Sequence, residues 1–336
     1  MRGNNWMDKP LMCCLPAGKA GSMSHLLCAL LSLFSFAALL ESAQWKLQEN
    51  VFVIDSRWDA EAPATTVELS CGGAEEAVLW RKDSSPLQGG ERRGQTLRVA
   101  VKELPDAGNY SCVSEESRRV LSSSLLLIAR IGPGGILLRD ILQPFQEPRT
   151  FLKCEAKNYS GMFTCSWMTE SNPNVKFTIR SLEGSQGDVS CSSPVALTEG
   201  DLTTYTAQCH KENFCPFAEE HQPIDIVLEA IDEVLYENYT ATFFIRDIIK
   251  PDPPQCQHVA TNGTVTWTYP RTWSTPNSYF PLTFKVKVKS TRRHRYQVYD
   301  TEEQSLQLPP GPAEVWVQAR DRCYLSSWSP WSSLCR

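Results

Sequence analysis

At 336 residues the chain exceeds what one hydrophobic core usually organises, so two or three domains are expected. Its 33 basic and 38 acidic side chains leave a net charge of −5, which excludes a global electrostatic pull toward nucleic acid or an anionic membrane. With 42% hydrophobic and 21% charged residues, the composition is that of a folded globular protein.

The long apolar run at residues 26–40 is short for a bilayer span, follows Lys9 and Lys19, and precedes Glu41, Ser42 and Ala43. It reads as the core of a signal peptide covering residues 1–43, with cleavage after Ala43; a signal anchor is the competing reading. No later run suits a transmembrane or lipid anchor, so a soluble, secreted, extracellular product with no membrane anchor is expected. Of thirteen cysteines, Cys13, Cys14 and Cys28 fall in this leader, leaving ten in a compartment where disulfides persist. Four N-x-S/T triplets, at Asn109, Asn158, Asn238 and Asn262, are candidate glycosylation sites of the same compartment.

Residues 44–131 show short alternating runs, such as 67–71 and 97–101, between Gly, Pro and Ser clusters, which is the punctuation of a β-sandwich. Cys71 is followed by Trp80 and then by Asp106-x-Gly108-x-Tyr110-x-Cys112. This is an immunoglobulin signature, in which a Cys71–Cys112 bridge ties the sheets, Trp80 packs on it and Tyr110 forms a corner. The stretch 131–135 (IGPGG) then reads as a linker.

A second domain, 132–249, opens with Cys154, Cys165 and Trp167, then holds Cys191 and Cys209. Lys250-Pro251-Asp252-Pro253-Pro254 marks its end, because prolines remove donors and force extended neighbours. The third domain, 250–336, contains alternating runs at 264–268, 282–288 and 313–319 and ends with Trp328-Ser329-Pro330-Trp331-Ser332.

The C-x10-C-x-W spacing and the W-S-x-W-S motif resemble the hematopoietic, or type I, cytokine receptor superfamily. One immunoglobulin module before two fibronectin-type modules resembles its soluble interleukin-6 receptor alpha group. The strings at 154–161 (CEAKNYSG), 236–240 (YENYT), 243–254 (FFIRDIIKPDPP) and 272–276 (TWSTP) narrow the resemblance to the receptor-like beta subunits of the interleukin-12 and interleukin-23 group. The fold implied is all-β: one immunoglobulin-like sandwich followed by two fibronectin type III sandwiches. It implies local bridges Cys154–Cys165 and Cys191–Cys209, and a ladder in which Trp328 and Trp331 stack with cations; Arg320 and Arg322 are the expected rungs.

In that family the subunit carries a four-helix cytokine chain of the interleukin-12 alpha or interleukin-23 alpha type, and the pair signals through type I cytokine receptors on immune cells. The resemblance makes Cys215 the inter-subunit cysteine, and its being left over after local pairing agrees; a Cys215–Cys256 bond is the alternative. It makes Tyr159, Glu219, Tyr279 and Asp321, with Tyr324 beside them, a pocket for an arginine of the helical partner, where carboxylates hold a guanidinium between aromatic walls. Without it, Asp321 reads as a solvated acid and Tyr279 as a surface aromatic.

Departures also appear. Cys323 stands where the family leads one to expect a tyrosine, Lys285 where relatives carry a cysteine, and no cysteine lies near Leu308 to pair with Cys335. The third-domain bridge is then Cys323–Cys335 or Cys256–Cys335, and the first is favoured because both residues flank the final hairpin. The basic run Lys285, Lys287, Lys289, Arg292, Arg293 and Arg295 resembles a glycosaminoglycan-binding loop able to take heparan sulfate, or else is a solvated strand guarded by lysines.

No nucleophile elbow, phosphate loop or H-E-x-x-H helix is present, so no enzyme activity and no cofactor are expected. His210 and His221 flank Cys209 and Cys215 at spacings that fit no common zinc finger, so no metal is assigned. A soluble receptor or decoy binding cytokine without a covalent bond is the nearest rival function, and a homodimer linked through Cys215 is compatible with either.

Overall fold

Buried and exposed residues alternate along the strands, as a half-buried sheet requires: Met162–Glu170 buries every second residue, and Leu282–Ser290 buries Leu282, Phe284, Val286 and Val288 while turning its lysines outward. The computed structural model describes residues 44–336 apart from 58, 60, 73–76, 88–91, 147–149, 171–173, 183–188, 260–262, 291–294, 309, 312 and 336. The expected leader lies outside the described residues, and no described helix is long and apolar enough to cross a membrane. Strands account for nearly all regular structure, in three sandwiches taken in chain order.

In the first, Gln44–Gln48 pairs with Val51–Arg57, which runs parallel to Val120–Ile131; the sheet continues through Gly108–Ser114 to Val78–Lys82. Thr65–Ser70 and Thr96–Val101 form the facing sheet. Cys71 and Cys112 bridge the two sheets beside the buried Trp80, whose indole nitrogen donates to the Gly94 carbonyl. The Tyr110 hydroxyl donates to the Asp106 carbonyl at 2.7 Å, closing the corner; burial and then Asp106 push its pKa up to about 12.

The second sandwich sets Lys153–Glu155, Met162–Glu170, Leu202–Lys211, Val189–Cys191 and Val195–Glu199 on one side. Lys176–Ser181, Ile224–Asp232 and Leu235–Phe243 lie on the other. Cys154–Cys165 and Cys191–Cys209 each join directly opposed residues of neighbouring antiparallel strands. Trp167, fully buried, stacks on Tyr205 and meets the edge of Phe177.

The third sandwich packs Gln255–Val259, Thr264–Thr268 and Ser305–Gln307 against Tyr296–Thr301, Leu282–Ser290 and Ala313–Asp321. The final segment runs back along Ala313–Asp321: the amides of Ser329, Ser332 and Cys335 donate to the carbonyls of Ala319, Val317 and Val315. Cys335 thus lies beside Val315, roughly 20 Å of strand from the Cys323 end, whereas a disulfide needs Cα atoms within about 7 Å. The favoured Cys323–Cys335 pairing is therefore wrong. Cys335 is bridged to Cys256, Cys323 is free and exposed, and the alternative Cys215–Cys256 bond is ruled out with it.

Both junctions are packed. Between the first and second sandwiches, Val53, Leu127, Ala129 and Tyr236 form a small core with Trp45 edge-on to Tyr236. Beside it the buried Glu237 carboxylate accepts the backbone amides of Asp140, Ile141 and Leu142, with Arg139 4.0 Å away. Burial raises the Glu237 pKa and outweighs the three amides and Arg139, which pull it down. A raised folded-state pKa means stability that is complete below the unfolded value, about 4.3, and is lost as pH rises through the folded value. Wild type is thus expected to gain stability relative to Glu237→Gln as pH falls from 7 toward 4.5, by at most about 1.4 kcal/mol per pH unit, in urea titrations at matched pH.

Candidate functional site

The junction of the second and third sandwiches is an elbow sharing one continuous hydrophobic core. The loop at 156–161 crosses it: the Ala156 amide donates to the Ile248 carbonyl and its carbonyl accepts from Lys250, while the Tyr159 amide donates to Asn277 at 3.0 Å. Gly161 has φ +76, and a Cβ there would lie 2.7 Å from the Lys211 carbonyl, so only glycine lets the loop lie this close. Glu155 accepts both Lys153 and Lys250 at 2.9 Å; burial raises its pKa, but these two lysines pull it net below the usual range.

The Tyr159 ring is buried against Phe280 (4.9 Å), Trp273 (5.8 Å) and Tyr324 (6.5 Å). Its hydroxyl donates to Asp321 Oδ2 at 2.5 Å; Asp321 Oδ1 accepts the amides of Cys323 (2.6 Å) and Tyr324 (3.3 Å). Burial, and then the Asp321 carboxylate, push the Tyr159 phenol well above its usual range. Asp321 has no exposed surface, so neither the solvated-acid reading nor an open carboxylate ready for an incoming guanidinium fits. Asp321 instead binds the elbow together from below.

Above it the surface is aromatic. Tyr279 is 46% exposed and stacks at 4.8 Å on Phe217, also 46% exposed; Tyr324 and Leu325 stand open nearby. Glu219 is exposed with no ion pair among the described residues, while Glu220 is turned inward onto the amides of Ile245 and Arg246. The structure therefore brings Tyr159, Asp321 and Tyr324 into direct contact, seats Tyr279 on Phe217, and leaves Glu219 on the Phe217 loop.

The loop around Cys215 is only partly open. Phe214 and Phe217 are open, but Cys215 is only 7% exposed, in a turn closed by the Ala218 amide on its carbonyl, and is unbridged. Cys323, the other free thiol, lies at the elbow surface, its pKa raised by partial burial and by Asp321. Among the described residues no His, Cys, Asp or Glu cluster has a metal-binding arrangement, His210 and His221 included.

Residues 149–232, which carry Tyr159, Cys215 and Glu219, match the family model for the cytokine interleukin-12p40 C-terminus. Over most of its length the chain is 42% identical to interleukin-12 subunit beta of Ovis aries (87% of this chain, 93% of that one) and of Felis catus (92% and 98%). It is 41% identical to that of Sus scrofa (92% and 99%). The chain belongs to the interleukin-12 subunit beta family. Family members thus align across all three sandwiches and both sides of the elbow.

The tryptophan ladder differs from the expected one. Trp328 lies between Arg320 (4.7 Å) and Lys285 (4.5 Å), and Lys287 sits over Trp331 (4.5 Å) and Trp316 (4.7 Å). Arg322 lies beyond the end of its strand, where alternation no longer sets its face, and turns to the Leu282 carbonyl and Glu302 instead. Lys285 and Lys287 are therefore rungs rather than free cations, and Lys289 is paired with Glu314 at 2.9 Å. That removes three of the six glycosaminoglycan candidates from the free surface. Arg295 is exposed, and Arg292 and Arg293 lie outside the described residues. Ser329 and Ser332 of the motif accept the amides of Ala319 and Val317, fixing the segment to the strand.

Of the sequons, Asn109 is exposed and Asn238 half-buried; Asn158 is 8% exposed and donates its amide to the Thr272 carbonyl, so it is not placed to carry a glycan. Asn262 lies outside the described residues. Sequence reasoning missed Phe217, Phe280 and Glu237. Phe217 had a local signal, an aromatic in a polar loop beside Cys215, whereas the others are visible only once distant segments meet.

Proposed function

We propose that this chain is the non-enzymatic, receptor-like subunit of a secreted heterodimeric cytokine. Its modules span 44–131, 132–249 and 250–336, and its elbow seats one face of a four-helix alpha subunit of the interleukin-12 or interleukin-23 alpha type. The first sandwich, at the far end, faces type I cytokine receptors. The observation that carries this reading is the exposed Phe217–Tyr279 stack with Tyr324, aromatic side chains held open over a rigid, fully bonded base, as interface anchors are. Exposed Glu219 is the carboxylate available to a partner arginine, and Asp321 acts through the tyrosines it positions. Cys215 forms the inter-subunit disulfide once its turn opens.

The burial of Cys215 favours a second reading, a soluble receptor or decoy that binds without a covalent bond. Co-expression with a helical alpha subunit and non-reducing gels separate the two. A reducible heterodimer that Cys215→Ser converts to a non-covalent one is expected. Tyr279→Ala is expected to weaken the residual complex at least tenfold, as removal of a central anchor does. A chain that stays monomeric with an unreacted Cys215 would sink the proposal. Heparan sulfate binding then rests on Arg292, Arg293 and Arg295, and a Cys215-linked homodimer is the product expected when no alpha subunit is present.

A further inference from the structure

Among the strand edges that lack a partner in the described residues, two share a pattern. Val195–Glu199, in the second sandwich, pairs only with Leu202–Lys211, and all five of its residues are exposed. Tyr296–Thr301, in the third, pairs only with Leu282–Ser290. Both display large apolar side chains at alternate positions: Val195 (69% exposed) and Leu197 (62%) on one, Tyr296 (58%) and Val298 (52%) on the other. Neither strand contains a lysine or proline, the residues that usually keep an open edge from pairing.

Opposite charges stand at the two strand ends that would meet, while Asp300 lies at the far end of its strand. Glu199 and the exposed Asp201 and Glu170 gather at the turn end of the first hairpin, since Glu199 and Glu170 are both register partners of Leu202. None of the three makes an ion pair among the described residues. Arg295, exposed and likewise unpaired, immediately precedes Tyr296. An antiparallel register with Leu197 opposite Val298 places Glu199 opposite Tyr296, one residue from Arg295. The apolar pair and the charge pair then form together.

We infer that these edges recognise each other on two copies of this chain, the Val195–Glu199 strand of one adding to the Tyr296–Thr301 strand of the other by backbone pairing. The contact is heterologous, so it closes into a pair only when each copy offers both edges. It is independent of Cys215 and of the elbow.

Sedimentation velocity of the secreted Cys215→Ser chain, which cannot form the Cys215-linked dimer, with the exposed Cys323 alkylated, tests this. Reversible dimers are expected on the order of 10–100 µM, as suits a contact smaller than a standard interface, weakening as salt rises. Leu197→Lys and Val298→Lys should each weaken association at least tenfold. Glu199→Arg should do so too, and adding Arg295→Glu to it should restore binding. A chain that stays monomeric throughout that range overturns the inference. Association that survives Val298→Lys does so equally, because the Val195–Glu199 edge would then be pairing with something else.

Discussion

Asp321→Ala is expected to lower the stability of the joined second and third sandwiches by about 3 kcal/mol, because it strands buried donors rather than merely losing a contact. The carboxylate is sealed from solvent and takes the Tyr159 hydroxyl from one sandwich and the Cys323 and Tyr324 amides from the other. Each abandoned buried donor costs about 1–3 kcal/mol; the weakest, Tyr324 at 3.3 Å, lies next to solvent and recovers most of its loss from water. For a unit of this size the thermal midpoint should fall by about 6–12 °C. Asp321→Asn keeps one accepting oxygen and should cost less. Tyr159→Phe removes a single hydrogen bond, and a cycle combining it with Asp321→Asn should show a coupling energy well above zero in denaturant titrations. Additive losses would mean that the 2.5 Å contact does not hold the elbow.

This expectation bears on function because Tyr324 is held open by the same carboxylate. A variant that folds but binds the alpha subunit weakly would show Asp321 working through the tyrosines. Glu219→Gln, which touches nothing in the core, should weaken binding with the thermal midpoint unchanged.

What was legible in the sequence was what local spacing encodes. Trp80, Tyr110 and Cys112 sit on neighbouring strands of one sheet and Cys71 at the end of a strand of the facing one, so their separations are those of strand and turn, and the tyrosine corner follows from them. The bridges of the second sandwich lie between directly opposed residues for the same reason. Cys335 was misassigned because spacing cannot say that the final segment doubles back along the whole Ala313–Asp321 strand, carrying Cys335 away from Cys323 toward Cys256. Lys285 and Lys287 were legible as outward-facing and illegible as ladder rungs, since outward on that strand means under Trp328 and Trp331 of a segment some forty residues later. Asp321 carries no local mark of burial. Its tyrosine partner comes from a loop 162 residues away, and only the fold brings the two together.

Breaking the Cys256–Cys335 bridge is expected to have the larger effect. The bond closes a separation of 79 residues, which on the chain-entropy model is about 4.5 kcal/mol, a large share of a domain's ordinary 5–15 kcal/mol. The loss is also structural. Cys335 is the last anchor of the segment that carries Trp328 and Trp331, and the others are backbone and serine hydrogen bonds with Ala319 and Val317. With Cys256→Ser that segment should fray from its end, releasing Trp331 before Trp328, so near-ultraviolet circular dichroism should weaken together with the thermal midpoint. Secretion should fall several-fold, because the freed Cys335 and the exposed Cys323 offer a wrong pairing across a melted segment. Cys256→Ser combined with Cys323→Ser removes that wrong partner and should recover yield without recovering stability. Cys323→Ser alone should leave both unchanged. A Cys256→Ser chain with wild-type stability would mean that serine ladder and core hold the segment by themselves, and that the bridge serves only to choose the right partner during folding.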